Sequence, residues 1–158
     1  MIRKAEIQDL DEIMPMIENG RKHIQTYNIP QWINGYPSVD TIAQDIENQR
    51  GYCLLDNDQI IGYFVVLEYD PCYEKIDGAW INNEPYVAIH RAVTKSFNSG
   101  QGSKMFDELK KIYNHIRVDT HEGNISMNKC LIKNNFIYCG VIHLADGSPR
   151  NAYEYIAK

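Results

Sequence analysis

Apolar residues change their spacing several times along the chain, and each change marks an element. Ile2 to Ala5 alternate as a short edge strand does. Leu10, Ile13, Met14 and Ile17 then recur at helical spacing, behind Asp9, Asp11 and Glu12, whose negative charge suits a helix start. Pro15 falls inside that pattern, where proline is tolerated only in the first turn or at a kink. The segment TYNIPQWINGYPSVD predicts an ordered aromatic loop. Val39, Ile42, Ala43 and Ile46 form a second helical stripe, with Ser38 or Asp40 as its cap.

Strand patterns follow. Gly51 to Leu55 and Gln59 to Leu67 flank DNDQ, the composition of a hairpin turn, and IIGYFVVL reads as a central strand. The polar stretch from Asp70 to Glu84 reads as a long loop with room for a strand tip. Pro85 to Val93 predicts another central strand. A glycine turn, Asn98 to Ser103, leads into a helical stripe of Met105, Phe106, Leu109, Ile112 and Tyr113. Ile116 to Asp119 reads as a strand, and Asn124 to Lys133 as a helix with Met127, Cys130 and Leu131 on one side. Asn134 and Asn135 end it, and strands at Phe136 to Ile142 and Asn151 to Ile156 close the chain. The early hairpin and the adjacent final strands imply antiparallel pairing. The expected fold is therefore α/β, with one mixed, mostly antiparallel, twisted sheet of about six to seven strands and about four helices over residues 1–158 as a single domain.

Composition narrows the function classes. The chain has 158 residues, 44% hydrophobic and 23% charged, enough apolar content for a core. Sixteen basic residues against 21 acidic ones leave a net charge of -5, which disfavours a nucleic-acid footprint or a basic membrane surface. No apolar run resembles a signal peptide or a membrane span, so a cytoplasmic protein is expected. Cys53, Cys72, Cys130 and Cys139 form no CxxC pair and no metal-ligand spacing, the pattern of free thiols with no metal. Eleven tyrosines against four phenylalanines suit a partly polar, aromatic-lined small-molecule site.

The glycine turn carries the most chemistry. Gly100 and Gly102 stand between a strand and a helix, where glycines permit tight geometry and the first N–H groups of the helix face outward as a cradle for phosphate oxygens. An ordinary strand-to-helix turn uses the same residues. Neither a Walker A lysine nor a complete GxGxxG is present, which disfavours nucleotide hydrolysis and dinucleotide binding. The arrangement resembles the GNAT superfamily of acetyl-CoA-dependent N-acetyltransferases, whose Arg/Gln-x-x-Gly-x-Gly/Ala loop grips the pyrophosphate of coenzyme A. Here Phe97 occupies the arginine or glutamine position. The family's second signature, an asparagine-led helix followed by Gly-Phe, is matched by Asn124 and by Asn135-Phe136. Leu131 stands where many members have the tyrosine that protonates the departing thiolate. The likeness runs along nearly the whole chain.

That resemblance implies acetyl-CoA as cofactor, a small-molecule or peptide amine as acceptor, no nucleic-acid or membrane partner, and a possible homodimer. The implied cofactor residues are Ala92, Val93, Asn98, Ser99, Gly100, Gln101, Gly102, Ser103 and Asn124, with a backbone N–H of Ala92 or Val93 facing the thioester carbonyl. For the base, Glu68 and Asp70 end the long strand, His90 lies in the central strand, and His121 follows Asp119 and Thr120 at a strand end. Each also has a plain reading as a solvated or turn-holding residue. Tyr138 or Tyr153 is available as the thiolate acid, with Tyr153 preferred. Trp32, Tyr36, His90 and Asp119 are expected on the acceptor side, while Cys130 and Cys139 fall on apolar faces. A silent coenzyme A-binding module and a purely structural domain are the competing classes.

Overall fold

The computed structural model describes residues 1–158 throughout. β1 (Ile2–Lys4) lies at one sheet edge, and Arg3 reaches back to Asp9 through hydrogen bonds of 2.7 and 2.9 Å. α1 (Leu10–Gln25) continues through Pro15 as a regular helix. Pro15 is exposed, so the carbonyl that its missing N–H leaves free opens to water. α2 (Val39–Glu47) starts at Ser38, whose hydroxyl accepts the Thr41 N–H at 3.2 Å.

β2 (Gly51–Asp56) and β3 (Gln59–Leu67) form the expected hairpin. Asn57 and Asp58 supply the two positive φ angles, 50° and 63°, that such a tight turn needs. The remaining strands are β4 (Asp77–Gly78), β5 (Val87–Thr94), β6 (His115–Thr120), β7 (Ile137–His143) and β8 (Pro149–Ile156). α3 (Gln101–Ile112) follows β5, and α4 (Ile125–Lys133) follows β6. All eight strands share one sheet in the order β1-β2-β3-β5-β6-β8-β7-β4. The eighth strand, beyond the six or seven expected, is the two-residue β4. It pairs Gly78 with Gly140, where a Cβ on Gly78 would come within 2.1 Å of the Cys139 carbonyl oxygen. A pairing made by two glycines leaves no periodic trace.

Side-chain alternation divides the core between the sheet's faces. Leu54, Phe64, Ile89 and Val118 pack under α3 and α4 with Phe106, Leu109 and Leu131. Cys53, Tyr63, Val65 and Val93 pack under α1 and α2 with Ile13, Ile17 and Ile42. A smaller cluster of Tyr73, Ala88, Ile142 and Ala152 forms where the loop between β3 and β5 folds back. No helix is long and apolar enough to cross a membrane.

Two irregularities in β5 shape the site. β5 and β6 form the parallel pair, matched only at Val87–Ile116 and Ala88–Arg117, and beyond these positions they part. On its other side, β5 pairs Tyr63 with Val93 and Val65 with His90, so a bulge sits opposite Phe64. Arg91 lies in it at φ 48°, a left-handed conformation that costs a non-glycine residue about 1–3 kcal/mol. Its guanidinium is held by both Asp45 oxygens, at 2.8 and 2.5 Å, and donates to the Tyr36 hydroxyl at 3.0 Å.

Candidate active site

A cavity of about 380 Å³ opens beside the end of β5, between α1, α3 and α4. One wall is Ala92 and Val93 of β5; another is the turn from Asn98 to Ser103. Gly100 enters α3 at φ 84°, and the first intrahelical bond runs from the Lys104 N–H to the Gly100 oxygen at 3.1 Å. The N–H groups of Gln101, Gly102 and Ser103 precede that bond, which makes the turn a ready anion cradle. Gly102 has a separate constraint: a Cβ there would stand 3.0 Å from Cys130 Sγ on α4. Asn124 caps α4 by accepting the Met127 N–H at 3.2 Å and donates to the Gln31 Oε1 at 3.1 Å, tying the aromatic loop to the cavity. Trp32 lies in the wall against Gly20 and Val93.

On the α1 and α2 face, beside the cavity, four polar side chains converge. His90 Nε2 lies 2.8 Å from Asp70 Oδ2, and Tyr73 donates its hydroxyl to Asp119 Oδ2 at 2.6 Å. Ligating atoms of Asp70, His90 and Asp119 lie within 4.8 Å of one another, a spacing that also fits a cation. Burial pushes the Asp70 carboxyl up, but the adjacent His90 imidazole and the hydrogen bond from the Cys72 N–H outweigh it and hold the group below the ordinary range. Burial dominates at Asp119 and raises it. Burial likewise raises Tyr73 well above a free phenol, so it stays a donor.

No family sequence model and no curated protein sequence matches the chain. Among solved structures, a GNAT-family acetyltransferase from Streptococcus agalactiae is 30% identical, covering 100% of this chain and 95% of that one at a TM-score of 0.90. The chain belongs to the GNAT family of acetyltransferases. A GNAT-family acetyltransferase of Listeria monocytogenes, 17% identical, covers 99% of this chain and 94% of its own at a TM-score of 0.66. AAC(6')-Ib, solved with ribostamycin and coenzyme A, is 18% identical, with 99% and 92% covered at a TM-score of 0.65. At that distance both likenesses concern the fold.

In this GNAT chain, Trp32 and all the expected cofactor residues line the cavity: Ala92, Val93, Asn98 to Ser103, and Asn124. Other expectations disperse. Glu68 is exposed just beyond β3, near Tyr113 at the end of α3, and so stands apart from the group around Asp70. His121 lies in the turn before α4, where its Nδ1 accepts the Gly123 N–H at 2.9 Å; burial, then the charge of Arg150, lowers its pKa. Tyr153 is buried under α4 and donates to Asn128 Oδ1 at 2.6 Å, with its pKa raised by burial. Tyr36 is outside the cavity wall and meets Arg91 instead. Tyr138 is exposed.

Several residues of the site carry no signal in the sequence. Tyr73 falls in the polar stretch after β3. Arg117 is sandwiched between the rings of Trp80 and Tyr86, 4.1 and 4.2 Å from their centroids. Its Nε and the His115 Nε2 each lie 2.6 Å from Oε2 of the fully buried Glu154. Trp80 donates to the Tyr73 carbonyl at 2.8 Å and Tyr86 accepts the Asp70 N–H at 3.1 Å, so this buried network holds the loop that brings Asp70 and Tyr73 to the site. In the cavity, Phe97 stacks on His23 of α1 at 4.3 Å, and His23 Nε2 lies 2.8 Å from Ser126 Oγ. Lys129 and Lys133 complete the α4 wall.

Proposed function

We propose that this GNAT protein transfers an acetyl group from acetyl-CoA to an amine of a small molecule or peptide, by direct attack within a ternary complex. The observation that carries the reading is the cavity that β5 bounds together with α1, α3 and α4. It meets the open first turn of α3, and no carboxylate lines it in a chain of 21 acidic and 16 basic residues. Such a wall fits a pantetheine arm and a pyrophosphate, which needs N–H donors and no opposing negative charge. When bound, acetyl-CoA supplies an activated acetyl carbonyl and a thiolate leaving group.

The chain's own groups divide the remaining work. The Lys95 N–H bonds the Ile61 oxygen on β3 at 2.7 Å, and alternation from there turns the Val93 N–H toward β3 and that of Ala92 toward the open side. Ala92 is therefore the donor we assign to the carbonyl oxygen as its negative charge grows. Two residues back along the strand, across the bulge, His90 takes the proton from the attacking amine. Asp70, with Oδ2 2.8 Å from the His90 Nε2, orients its ring. The proton removed from nitrogen balances the one that the thiolate takes up on leaving. Trp32 and Gln31 border the acceptor side. His121 and Tyr153 are assigned to holding the turn before α4.

Thiol release from acetyl-CoA, measured with and without each member of an amine panel, tests the reading. Release that depends on one amine supports it. Coenzyme A binding with no release for any amine favours a silent binding module.

A further inference from the structure

The sequence motif that normally brings a side-chain cation to the phosphate loop has lost it: Phe97 stands there and its ring stacks on His23. The cations of the cavity lie instead on α4. Lys129 and Lys133 line the wall one helical turn apart, both exposed, and neither forms an ion pair or a side-chain hydrogen bond. Like charges at this spacing destabilise a helix by a few tenths of a kcal/mol, roughly 0.2–0.5, so the pair is a small liability for folding alone. Their place is defined by the seam between α3 and α4, where Cys130 Sγ meets Gly102 and Asn134 donates to Ser103 Oγ at 3.1 Å. The two lysines lie along one side of that seam, next to the turn that offers backbone donors but no side-chain charge.

We propose that Lys129 and Lys133 form a clamp for the 3′-phosphate of coenzyme A and make the protein selective for the 3′-phosphorylated cofactor. This rests on the cofactor reading above. The charge balance favours the assignment. Each phosphate of the pyrophosphate diester carries one negative charge, a match for N–H donors at a helix start. A phosphate monoester carries about -1.5 to -2 near neutral pH, and two ammonium groups with Cβ atoms about 5–6 Å apart can close on it from both sides. The cavity wall holds no carboxylate to compete for them.

Calorimetric titration of the full chain with coenzyme A and with dephospho-coenzyme A tests the clamp. Wild-type protein should bind coenzyme A about tenfold more tightly than the dephospho form, the size expected of a charge-assisted contact at a partly exposed site. Lys129→Ala combined with Lys133→Ala should weaken coenzyme A by a similar factor and leave dephospho-coenzyme A within about twofold, so that the preference disappears. Both side chains are exposed, and circular dichroism checks that the double variant is folded. Equal affinity of the two ligands for wild-type protein overturns the proposal, as does an equal loss for both in the variant. Absence of coenzyme A binding by folded wild-type protein would instead defeat the cofactor reading itself, a separate outcome.

Discussion

His90 Nε2 on β5 lies 2.8 Å from Asp70 Oδ2 in the loop after β3, yet this buried nitrogen makes no well-aligned hydrogen bond. The contact is close enough for a proton to be shared and loose enough to be tightened by an acceptor, as catalytic hydrogen bonds in unliganded enzymes often are. The β5 bulge turns His90 toward Asp70 and Tyr73, while Arg91, the next residue, is bound to Asp45. The cavity wall and the buried polar cluster thus meet in three consecutive residues, His90, Arg91 and Ala92.

Replacing His90 by Gln should lower turnover by about 10²–10⁴-fold, the usual contribution of a general base, and leave coenzyme A affinity within a factor of about two. Steady-state kinetics beside a binding titration separates the two. His121→Ala should have the smaller effect on turnover and lower the thermal midpoint by releasing the Gly123 N–H. A full loss of activity in His121→Ala with His90→Gln unaffected would reverse the assignment.

The two carboxylates of the cluster should respond to amidation with opposite signs. Asp70 sits below its ordinary value of 3.8 in the fold, so its ionised form adds stability that is present above that value and lost as pH falls through the depressed one. Asp119 sits above 3.8, so its contribution is full below that value and is lost as pH rises through the raised one. Near neutral pH, Asp70→Asn should therefore lower the thermal midpoint. Asp119→Asn, which still accepts from Tyr73, should hold or raise it while lowering turnover. Midpoints that fall equally in both variants would contradict opposite ionisation preferences at Asp70 and Asp119.

Gly100→Val should weaken coenzyme A binding and leave the fold largely intact. No atom lies within 4 Å of a Cβ at Gly100, so the damage comes from its φ of 84°. A branched side chain there costs about 1–2 kcal/mol and pulls the N–H groups of the turn out of line. Titration with coenzyme A measures the effect, and unchanged affinity would move the cofactor elsewhere.

Glu154→Gln should destabilise the protein by about 3–5 kcal/mol, because it leaves the buried Arg117 guanidinium without its counter-charge. Chemical denaturation reads this directly. Arg117→Lys should also destabilise the fold, since an ammonium cannot fill the planar slot between Trp80 and Tyr86. A loss below about 1 kcal/mol in Glu154→Gln would reduce the network to an ordinary surface-like pair.

Local chemistry made much of this legible in the sequence. Ser38 as a cap, Asn57-Asp58 as a turn and the glycine loop before α3 each announce themselves through backbone needs that few residues meet. The cavity wall was legible because most of its expected residues fall in one stretch, Ala92 to Ser103. The buried polar cluster was harder. Glu68 and Asp70 are two residues apart at the end of one strand, and only the fold of the following loop separates the exposed one from the one that meets His90. Which way His90 faces depends on a bulge, and Tyr73 reaches Asp119 from a stretch with no periodicity. Lys129 and Lys133 look like any solvated helix face until α3 is placed opposite them.

Direct passage of the acetyl group from the thioester to an amine can be followed by isotope tracing. Acetyl-CoA labelled in the acetyl group is incubated with the protein and an amine that stimulates thiol release, and both product and protein are weighed by mass spectrometry. Direct transfer gives labelled acetamide in step with free coenzyme A and no label on the chain. Labelled acetate alone, or label retained on a protein side chain such as Cys130, would contradict it.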